Sequence, residues 1–157
     1  MPVKPVPDGY HTATPYLIVD AASKALDFYK KAFGAEEVMR MDAGGGKIMH
    51  AEIKIGDSLI MLADENPERG TRSAKSYGGT PVSILLYLAD VDTQFKRALA
   101  AGAKSLRPVE DQFFGDRMGT LVDPFGHTWS LATHKEDVTP AEMKRRMAEM
   151  AKKTTHA

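Results

Sequence analysis

The amino-acid sequence predicts an α+β protein built from two copies of one βαβββ module, with an additional helix at the C-terminal end. Two observations carry this prediction. The order of one strand, one helix and three strands occurs twice, and matching landmarks in the two copies keep a nearly constant separation. At 157 residues the chain can enclose one shared core but not two independent ones, so residues 1–157 are predicted to form a single domain.

The first module is predicted over residues 14–64, after an extended N-terminal arm at residues 1–13 that has no apolar run. A β-rich stretch starts at Thr14, and the helical pattern that follows it ends before Gly34. The segment KIMHAEIKI alternates between apolar and polar residues, which predicts a strand. This alternation assigns one face to Met49, Ala51, Ile53 and Ile55, and the opposite face to His50, Glu52 and Lys54.

The second module is predicted over residues 80–134, beyond a polar and flexible linker at residues 65–79. Its helix is expected to start after Asp90, a good N-cap, and to end before Gly102. A duplicated unit with small loop insertions should keep a slowly drifting offset between copies. The matching landmarks do so at offsets of 66, 68 and 70: Thr14-Pro15 with Thr80-Pro81, Gly34-Ala35 with Gly102-Ala103, and Gly56 with Gly126.

A C-terminal helix is predicted over residues 139–152. Thr139 is placed as its N-cap, with Pro140 at the first helical position and Glu142 completing a capping box. An apolar stripe follows at helical spacing, formed by Met143, Met147 and Met150. The stripe needs a surface to cover it, and the alternatives are the sheet of the same chain or a second subunit.

Composition excludes several classes of function. Lysine and arginine together number 21, as do aspartate and glutamate, so no overall charge attracts nucleic acid or a membrane surface. No cysteine is present, which excludes disulfides, thiolate metal sites and cysteine nucleophiles. A reducing compartment, the cytoplasm, is therefore the expected location, and no apolar segment suggests a signal peptide or a membrane anchor.

Three segments together resemble the vicinal oxygen chelate superfamily, which includes glyoxalases, bleomycin resistance proteins and dioxygenases, and within it the PhnB-like branch. They are PYLIVDAASKALDFYKKAFGAE, HAEIKIGDSLIMLAD and DQFFGDRMGTLVDPFGHTWSLATHKEDVTPAEM, and the resemblance covers residue 14 to about residue 148. It implies two βαβββ modules whose curled mixed sheets surround a cavity, with the helices outside. A homodimer is common among such proteins and is expected for this chain.

The resemblance also implies where a metal would bind, because metal-dependent members carry ligands on the first and fourth strands of each module. The aligned residues are Thr14 and Ser83 on the first strands, with Ile60 or Met61 and Ser130 on the fourth. None of them is a good ligand for a divalent ion. No cofactor is therefore expected, and the activities that depend on this metal become doubtful.

A rearranged metal site is the alternative. His50 and Glu52 share a strand face, and His127 and His134 flank the last strand, so a site with two or three ligands is conceivable. The competing interpretation is that His50 and Glu52 form a polar, hydrogen-bonded face and that His127 binds backbone groups of its turn.

Aromatic rings with one arginine suit a flat or anionic organic ligand, because rings stack on it and a guanidinium binds an acidic group. Arg117 could equally be a structural partner of Asp116 or Asp123, and Trp129 is expected to lie in the core. Eight residues are predicted to bind the ligand: Tyr16, His50, Glu52, Met61, Phe113, Phe114, Arg117 and Ser130.

Three functions compete. The first is a protein that binds a small organic ligand in the cavity without a metal and without turnover. The second is a metal-dependent lyase, isomerase or dioxygenase with a rearranged site at His50 and Glu52. The third is a metal-free acid/base enzyme in which burial raises the pKa of Glu52, the only catalytic candidate.

Overall fold

The computed structural model describes residues 2–155. The first module contains β1 (Tyr16–Val19), α1 (Ala22–Phe33), β2 (Glu36–Gly44), β3 (Lys47–Ile55) and β4 (Ser58–Asp64). The second contains β5 (Ser83–Tyr87), α2 (Val91–Ala101), β6 (Lys104–Asp111), β7 (Asp116–Val122) and β8 (Thr128–His134). A final helix, α3, spans Pro140–Thr155. This repeated order, with its C-terminal helix, confirms the predicted fold class.

Each module forms its own four-stranded mixed sheet. Sheet 1 has the strand order β1-β4-β3-β2, and sheet 2 has the corresponding order β5-β8-β7-β6. In each sheet the first strand runs parallel to the fourth, and the other neighbours are antiparallel. The helix of each module packs on one face of its sheet, and the other face is open.

The two helices pack against each other and join the modules through an aromatic cluster. Tyr29 of α1 and Trp129 of β8 are fully buried, with ring centroids 5.4 Å apart. Phe33 stacks on Tyr29 from the next turn of α1 and also contacts Trp129, at 4.7 Å between centroids. Because the first module supplies α1 and the second supplies β8, this cluster makes one continuous core.

A buried aspartate lies at the centre of the same contact. The carboxylate of Asp123, in the β7–β8 turn, accepts hydrogen bonds from the Tyr29 hydroxyl at 2.6 Å and from the Trp129 indole at 2.9 Å. It also accepts the backbone N–H groups of Phe125 and His127. Burial, together with the charge of Asp123, raises the pKa of Tyr29 well above its ordinary value. Asp123 thus holds both the β7–β8 turn of its own module and helix α1 of the first module.

His127 adds a second connection between the modules. Its Nε2 atom lies 3.0 Å from the carbonyl oxygen of Ile18 in β1. The ring therefore contacts a backbone carbonyl, as the competing interpretation of the sequence expected. The carbonyl belongs to the other module, however, and not to the turn that contains His127. This contact occupies one of the two ring nitrogens, so a metal could bind His127 only through Nδ1.

Residues 65–79 are more ordered than their polar composition indicates. The carboxylate of Glu65 accepts hydrogen bonds from the backbone N–H of Ser73 and from the Ser76 hydroxyl, at 2.8 and 2.7 Å. These bonds lower the pKa of Glu65 to about 2. Ser73 itself is fully buried. The segment is folded around one acidic side chain, and it forms a wall beside the open face of sheet 1.

The C-terminal helix α3 projects from the rest of the molecule. Thr139 caps it through its hydroxyl, which accepts the backbone N–H of Glu142 at 3.2 Å, as predicted. None of its described residues is buried, and no other described helix or strand packs against it. Between residues 2 and 155, no helix is long and apolar enough to cross a membrane.

Candidate ligand-binding site

The open face of sheet 1 brings together four of the residues that the sequence singled out. Strand register aligns Tyr16 of β1 with Met61 of β4, and Met61 with Glu52 of β3. Side chains that are paired across strands point to the same face, so these three form a row on the side away from α1. His50 lies on the same face, two residues before Glu52.

Hydrogen bonds join the polar members of this group. The Tyr16 hydroxyl lies 2.8 Å from Nδ1 of His50, and Nε2 of His50 lies 3.1 Å from the Glu52 carboxylate. Tyr10 of the N-terminal arm also lies beside Glu52. Its hydroxyl is buried, and its contact with the Glu52 carboxylate is not an ideal hydrogen bond. Tyr10 could not be predicted from the sequence, because nothing in the arm's composition indicates that the arm folds back onto the sheet.

These contacts settle the charge of Glu52. The Tyr10 hydroxyl and, next, the His50 ring lower the pKa of Glu52 and outweigh its burial. Burial raises the pKa of Tyr10 to about 12, with Glu52 contributing, and it also raises that of Tyr16. Glu52 is thus an ionised carboxylate at neutral pH, which is contrary to the acid/base hypothesis that required a raised pKa.

A cavity of about 560 Å³ opens beside this group, between sheet 1 and the folded segment after β4. Its apolar wall includes Tyr16, Ile18 and Met49. Its polar wall includes Lys47 and Arg69, neither of which forms an ion pair in the described part of the chain. The volume and the mixed lining are typical of sites for small organic molecules.

Met49 departs from the predicted alternation. Met41 of β2 pairs with His50 and the next residue, Asp42, pairs with Ile48, so Met49 has no partner in the ladder. The extra residue forms a β-bulge, which shifts the alternation by one position. As a result Ile48 is buried with the core, whereas Met49 is 59 % exposed and lines the cavity. The prediction that Met49 shares a face with Ala51, Ile53 and Ile55, which are all buried, was wrong.

Arg117 does not lie on an open face. In β7 it pairs with Thr133, on the side of sheet 2 that α2 covers. Its guanidinium forms two hydrogen bonds with Asp92 of α2, at 2.8 and 2.9 Å, and a third with Asp111. This placement supports the structural interpretation of Arg117, which fixes α2 to its sheet through partners other than the two that the sequence suggested, and its role in ligand binding stays a prediction.

The remaining predicted residues lie apart from the Tyr16–His50–Glu52 group. Ser130 is on the open face of sheet 2, where its hydroxyl lies 3.0 Å from that of Thr120. Phe113 and Phe114 form an edge-to-face pair in the β6–β7 turn, with centroids 5.3 Å apart. Their role in binding stays a prediction.

The residues at the positions of the family's usual metal site do not fit a divalent ion. Ile60 faces the core and is 2 % exposed, so Met61 is the residue on the open face of β4, and a thioether is a poor ligand for a hard cation. Ser130 is already bonded to Thr120. Within residues 2–155, no three side chains of histidine, cysteine, aspartate or glutamate come together as a metal site.

A second polar group lies on the open face of sheet 2. The buried carboxylate of Asp116 accepts the Tyr87 hydroxyl at 3.0 Å and contacts Nδ1 of His134 at 2.7 Å. The other ring nitrogen of His134 lies 2.7 Å from Asp137. Asp116 and then Asp137 raise the pKa of His134. With both nitrogens bound to carboxylates, the ring is a structural link rather than a proton donor to a ligand.

This raised pKa predicts a pH-dependent stability. The folded state binds the proton of His134 more tightly than the unfolded chain, where the pKa is about 6.5. The contribution of His134 to stability is therefore complete below about pH 6.5 and is lost as the pH rises through the folded-state pKa. In urea unfolding between pH 5.5 and 8.5, the difference between the wild type and His134→Gln should shrink with increasing pH. His11→Gln, a change in the exposed arm, serves as the control. A difference that grows with pH would contradict the assignment.

Paired βαβββ modules with a cavity on an open sheet face define the class of protein. The family model of the glyoxalase/bleomycin resistance protein/dioxygenase superfamily matches residues 10–131, and the chain belongs to this superfamily. An uncharacterized protein of Mycobacterium bovis is 45 % identical over 138 residues, which are 86 % of this chain and 91 % of that protein.

Solved structures share the fold. The crystal structure of an Arabidopsis thaliana gene product is 29 % identical, with a TM-score of 0.65 over 78 % of this chain and 98 % of that one. A PhnB protein from Bacillus cereus gives a TM-score of 0.62 at 22 % identity, over 78 % of this chain and 99 % of that one. At that identity the second likeness concerns the fold alone.

Proposed function

We propose that the protein binds a small organic molecule bearing an acidic group in the cavity on the open face of sheet 1, without a divalent metal. The observation that carries the proposal is the pairing of an apolar wall with two cationic side chains, Lys47 and Arg69, that have no ion-pair partner in the described residues. An apolar, partly aromatic wall favours a flat molecule, and free cations favour a carboxylate or phosphonate.

The acidic residues of the cavity do not compete for these cations as strongly as their number suggests. Asp64 is buried, and its two oxygens accept the backbone N–H groups of Ala22 and Ile48, at 2.9 and 2.7 Å. Glu65 is bonded to Ser73 and Ser76. Both oxygens of Asp64 and one oxygen of Glu65 therefore have donors of their own, and Lys47 acts on Glu65 only through its charge, without an ion-pair contact.

Titration calorimetry against aromatic carboxylic acids, aromatic phosphonic acids and glycopeptides, with a chelator present, tests this function. At least one acidic compound is expected to bind. Arg69→Ala should weaken its binding at least about tenfold, the effect of losing one charge-assisted hydrogen bond. Arg97→Ala, which removes an exposed arginine from α2, should leave binding unchanged. Equal losses in both variants, or no binding by any compound, would refute the proposal.

A metal-dependent lyase, isomerase or dioxygenase with a rearranged site remains the alternative, supported by the contact of 3.1 Å between His50 and Glu52. Elemental analysis of protein purified without chelator discriminates between the two functions. Stoichiometric metal that disappears in His50→Ala would favour the metalloenzyme, and metal-free wild-type protein would favour the binding protein.

We also propose that the protein is a cytoplasmic homodimer. The open faces expose large apolar side chains, among them Tyr16 at 47 % and Leu85 at 43 %, which a second copy would cover. Light scattering should give twice the chain mass of 17.2 kDa. The mass of one chain at every concentration tested would contradict this.

A further inference from the structure

We propose that the ligand of the cavity on sheet 1 is zwitterionic, an aromatic acid that also carries an ammonium group, and that Glu65 binds this ammonium group. The inference rests on the proposed function and deepens it, because it adds a second, opposite charge to the ligand. The juxtaposition that carries it is a single cavity lined by charges of both signs that form no ion pair with one another in the described part of the chain.

Glu65 shares the cavity with Lys47 and Arg69 but touches neither of them. Lys47 acts on Glu65 through its charge alone, without an ion-pair contact. Arg69 lies in the turn that follows Glu65, yet within residues 2–155 the two side chains form no ion pair. Opposite charges that line one cavity without meeting complement a ligand with one charge of each sign.

Glu65 keeps one carboxylate oxygen free for such a ligand. Its Oε2 atom accepts the backbone N–H of Ser73 at 2.8 Å and the Ser76 hydroxyl at 2.7 Å, whereas the Ser73 hydroxyl bonds to that of Ser76. Among the described residues, no donor bonds to Oε1. The bonds from Ser76 and Ser73 lower the pKa of Glu65 to about 2, so the side chain is ionised at neutral pH. Glu65 is thus a fixed anion with an unused acceptor.

Asp64, the other carboxylate that lines the cavity, offers no such oxygen. Its side chain is buried, and its two oxygens accept the backbone N–H groups of Ala22 and Ile48 at 2.9 and 2.7 Å. Of the two lining carboxylates, Glu65 is therefore the one that can bind an ammonium group.

This arrangement predicts a preference between otherwise similar acids. The acidic group of the ligand would bind Lys47 and Arg69, its ring would lie against Tyr16 and Met49, and its ammonium group would donate to Oε1 of Glu65. A hydrogen bond between two charged groups is about twice as strong as one between neutral groups. An acid without the amine leaves Glu65 without a partner and is repelled by its charge. The amine should therefore tighten binding at least about tenfold.

Titration calorimetry with two matched pairs of compounds tests the inference. Phenylalanine is compared with phenylpropanoic acid, a pair in which the two charges of the zwitterion are close together. Para-aminomethylbenzoic acid is compared with para-methylbenzoic acid, a pair in which they are far apart. In at least one pair, the wild type should bind the amine-bearing compound at least about tenfold more tightly than the simple acid.

Glu65→Gln tests whether this residue causes the preference. The glutamine oxygen can still accept the bonds from Ser73 and Ser76, while its NH₂ group puts a donor where the free acceptor was. The difference between the two compounds of the preferred pair should therefore disappear. Glu68→Gln removes an exposed carboxylate of the following turn that does not line the cavity, and this variant should keep the difference. Urea unfolding checks that both variants are folded.

The outcomes separate this inference from the proposed function. Binding of simple acids without a tighter-binding amine-bearing partner in either pair would overturn the inference and leave the proposed function standing. This comparison within the wild type does not depend on the folding of any variant. A preference that survives in Glu65→Gln would also overturn the role of Glu65. If no acid of these pairs or of the wider panel binds to the wild type, the proposed function fails and the inference fails with it.

Discussion

Asp123→Ala is expected to lower the free energy of unfolding by about 4 kcal/mol, the cost of removing one partner from a buried, charged hydrogen-bond network. Asp123 is 4 % exposed, and its loss leaves the Tyr29 hydroxyl and the Trp129 indole buried without an acceptor. The β7–β8 turn also loses the acceptor for two of its backbone N–H groups. Since the same carboxylate connects α1 to β8, both modules should lose stability together. Urea unfolding followed by Trp129 fluorescence measures the change.

Two further variants make this prediction specific. Asp57→Ala removes an exposed aspartate from the β3–β4 turn, whose side chain bonds only to the neighbouring Ser58, and should change stability by no more than about 0.5 kcal/mol. Tyr29→Phe removes one donor and leaves the carboxylate in place, so it should cost about 1.5–3 kcal/mol. If Asp123→Ala were no worse than Asp57→Ala, the carboxylate would not connect the modules.

Gly115→Ala should cost about 3 kcal/mol, because the new methyl group would overlap the backbone that leads into α3. Gly115 has a φ of 104°, and a Cβ atom there would lie 2.2 Å from the carbonyl oxygen of Glu136. Relief of that overlap must move the segment that carries Arg146, and strained backbone adds its own cost. Urea unfolding gives the loss in stability.

Gly45→Ala separates the two causes. Gly45 also has a positive φ, of 61°, but a Cβ atom there would meet nothing within 4 Å. Backbone strain alone should cost about 1 kcal/mol in this variant. Equal losses in Gly115→Ala and Gly45→Ala would mean that contact with Glu136 contributes nothing to stability.

The duplicated module was predictable because it depends on local patterns. The strand alternation around Glu52, the helical spacing of α1 and the turn glycines are all set by neighbours in sequence, and all reappear in the structure. The alignment of Tyr16 with Met61 and Glu52 follows from the same patterns once the parallel pairing of β1 and β4 is known. The row of Tyr16, Met61 and Glu52 on sheet 1 was thus predictable from the sequence.

Other features depend on contacts between distant segments, and the sequence does not specify them. The bulge that turns Met49 outward arises from the register between β2 and β3 rather than from the residues of β3 alone. Arg117 faces Asp92 because α2 crosses sheet 2 at that point. Tyr10 and Arg69 reach the site because the arm and the segment after β4 fold back onto sheet 1.

The charge of Glu52 connects the fold to the proposed function. A glutamate whose pKa is lowered by neighbouring side chains cannot donate a proton at neutral pH and is a weaker general base, while the side chains at the usual metal positions do not suit a divalent ion. On this ground we propose binding rather than turnover. Specificity would come from the cations that line the cavity, with Tyr16 on its apolar wall connected by hydrogen bonds to His50 and Glu52 outside it.

Methyl NMR of protein labelled at the methionine methyl groups tests the central claim most directly. Methionines mark each surface: Met49 lines the cavity, Met61 lies beside the cavity residue Tyr16, Met118 belongs to sheet 2 and Met147 to α3. With a chelator present, an acidic compound that binds in calorimetry should shift Met49 and Met61 and leave Met118 unchanged. Shifts confined to Met118, or shifts of Met49 that require an added divalent metal, would contradict metal-free binding on sheet 1.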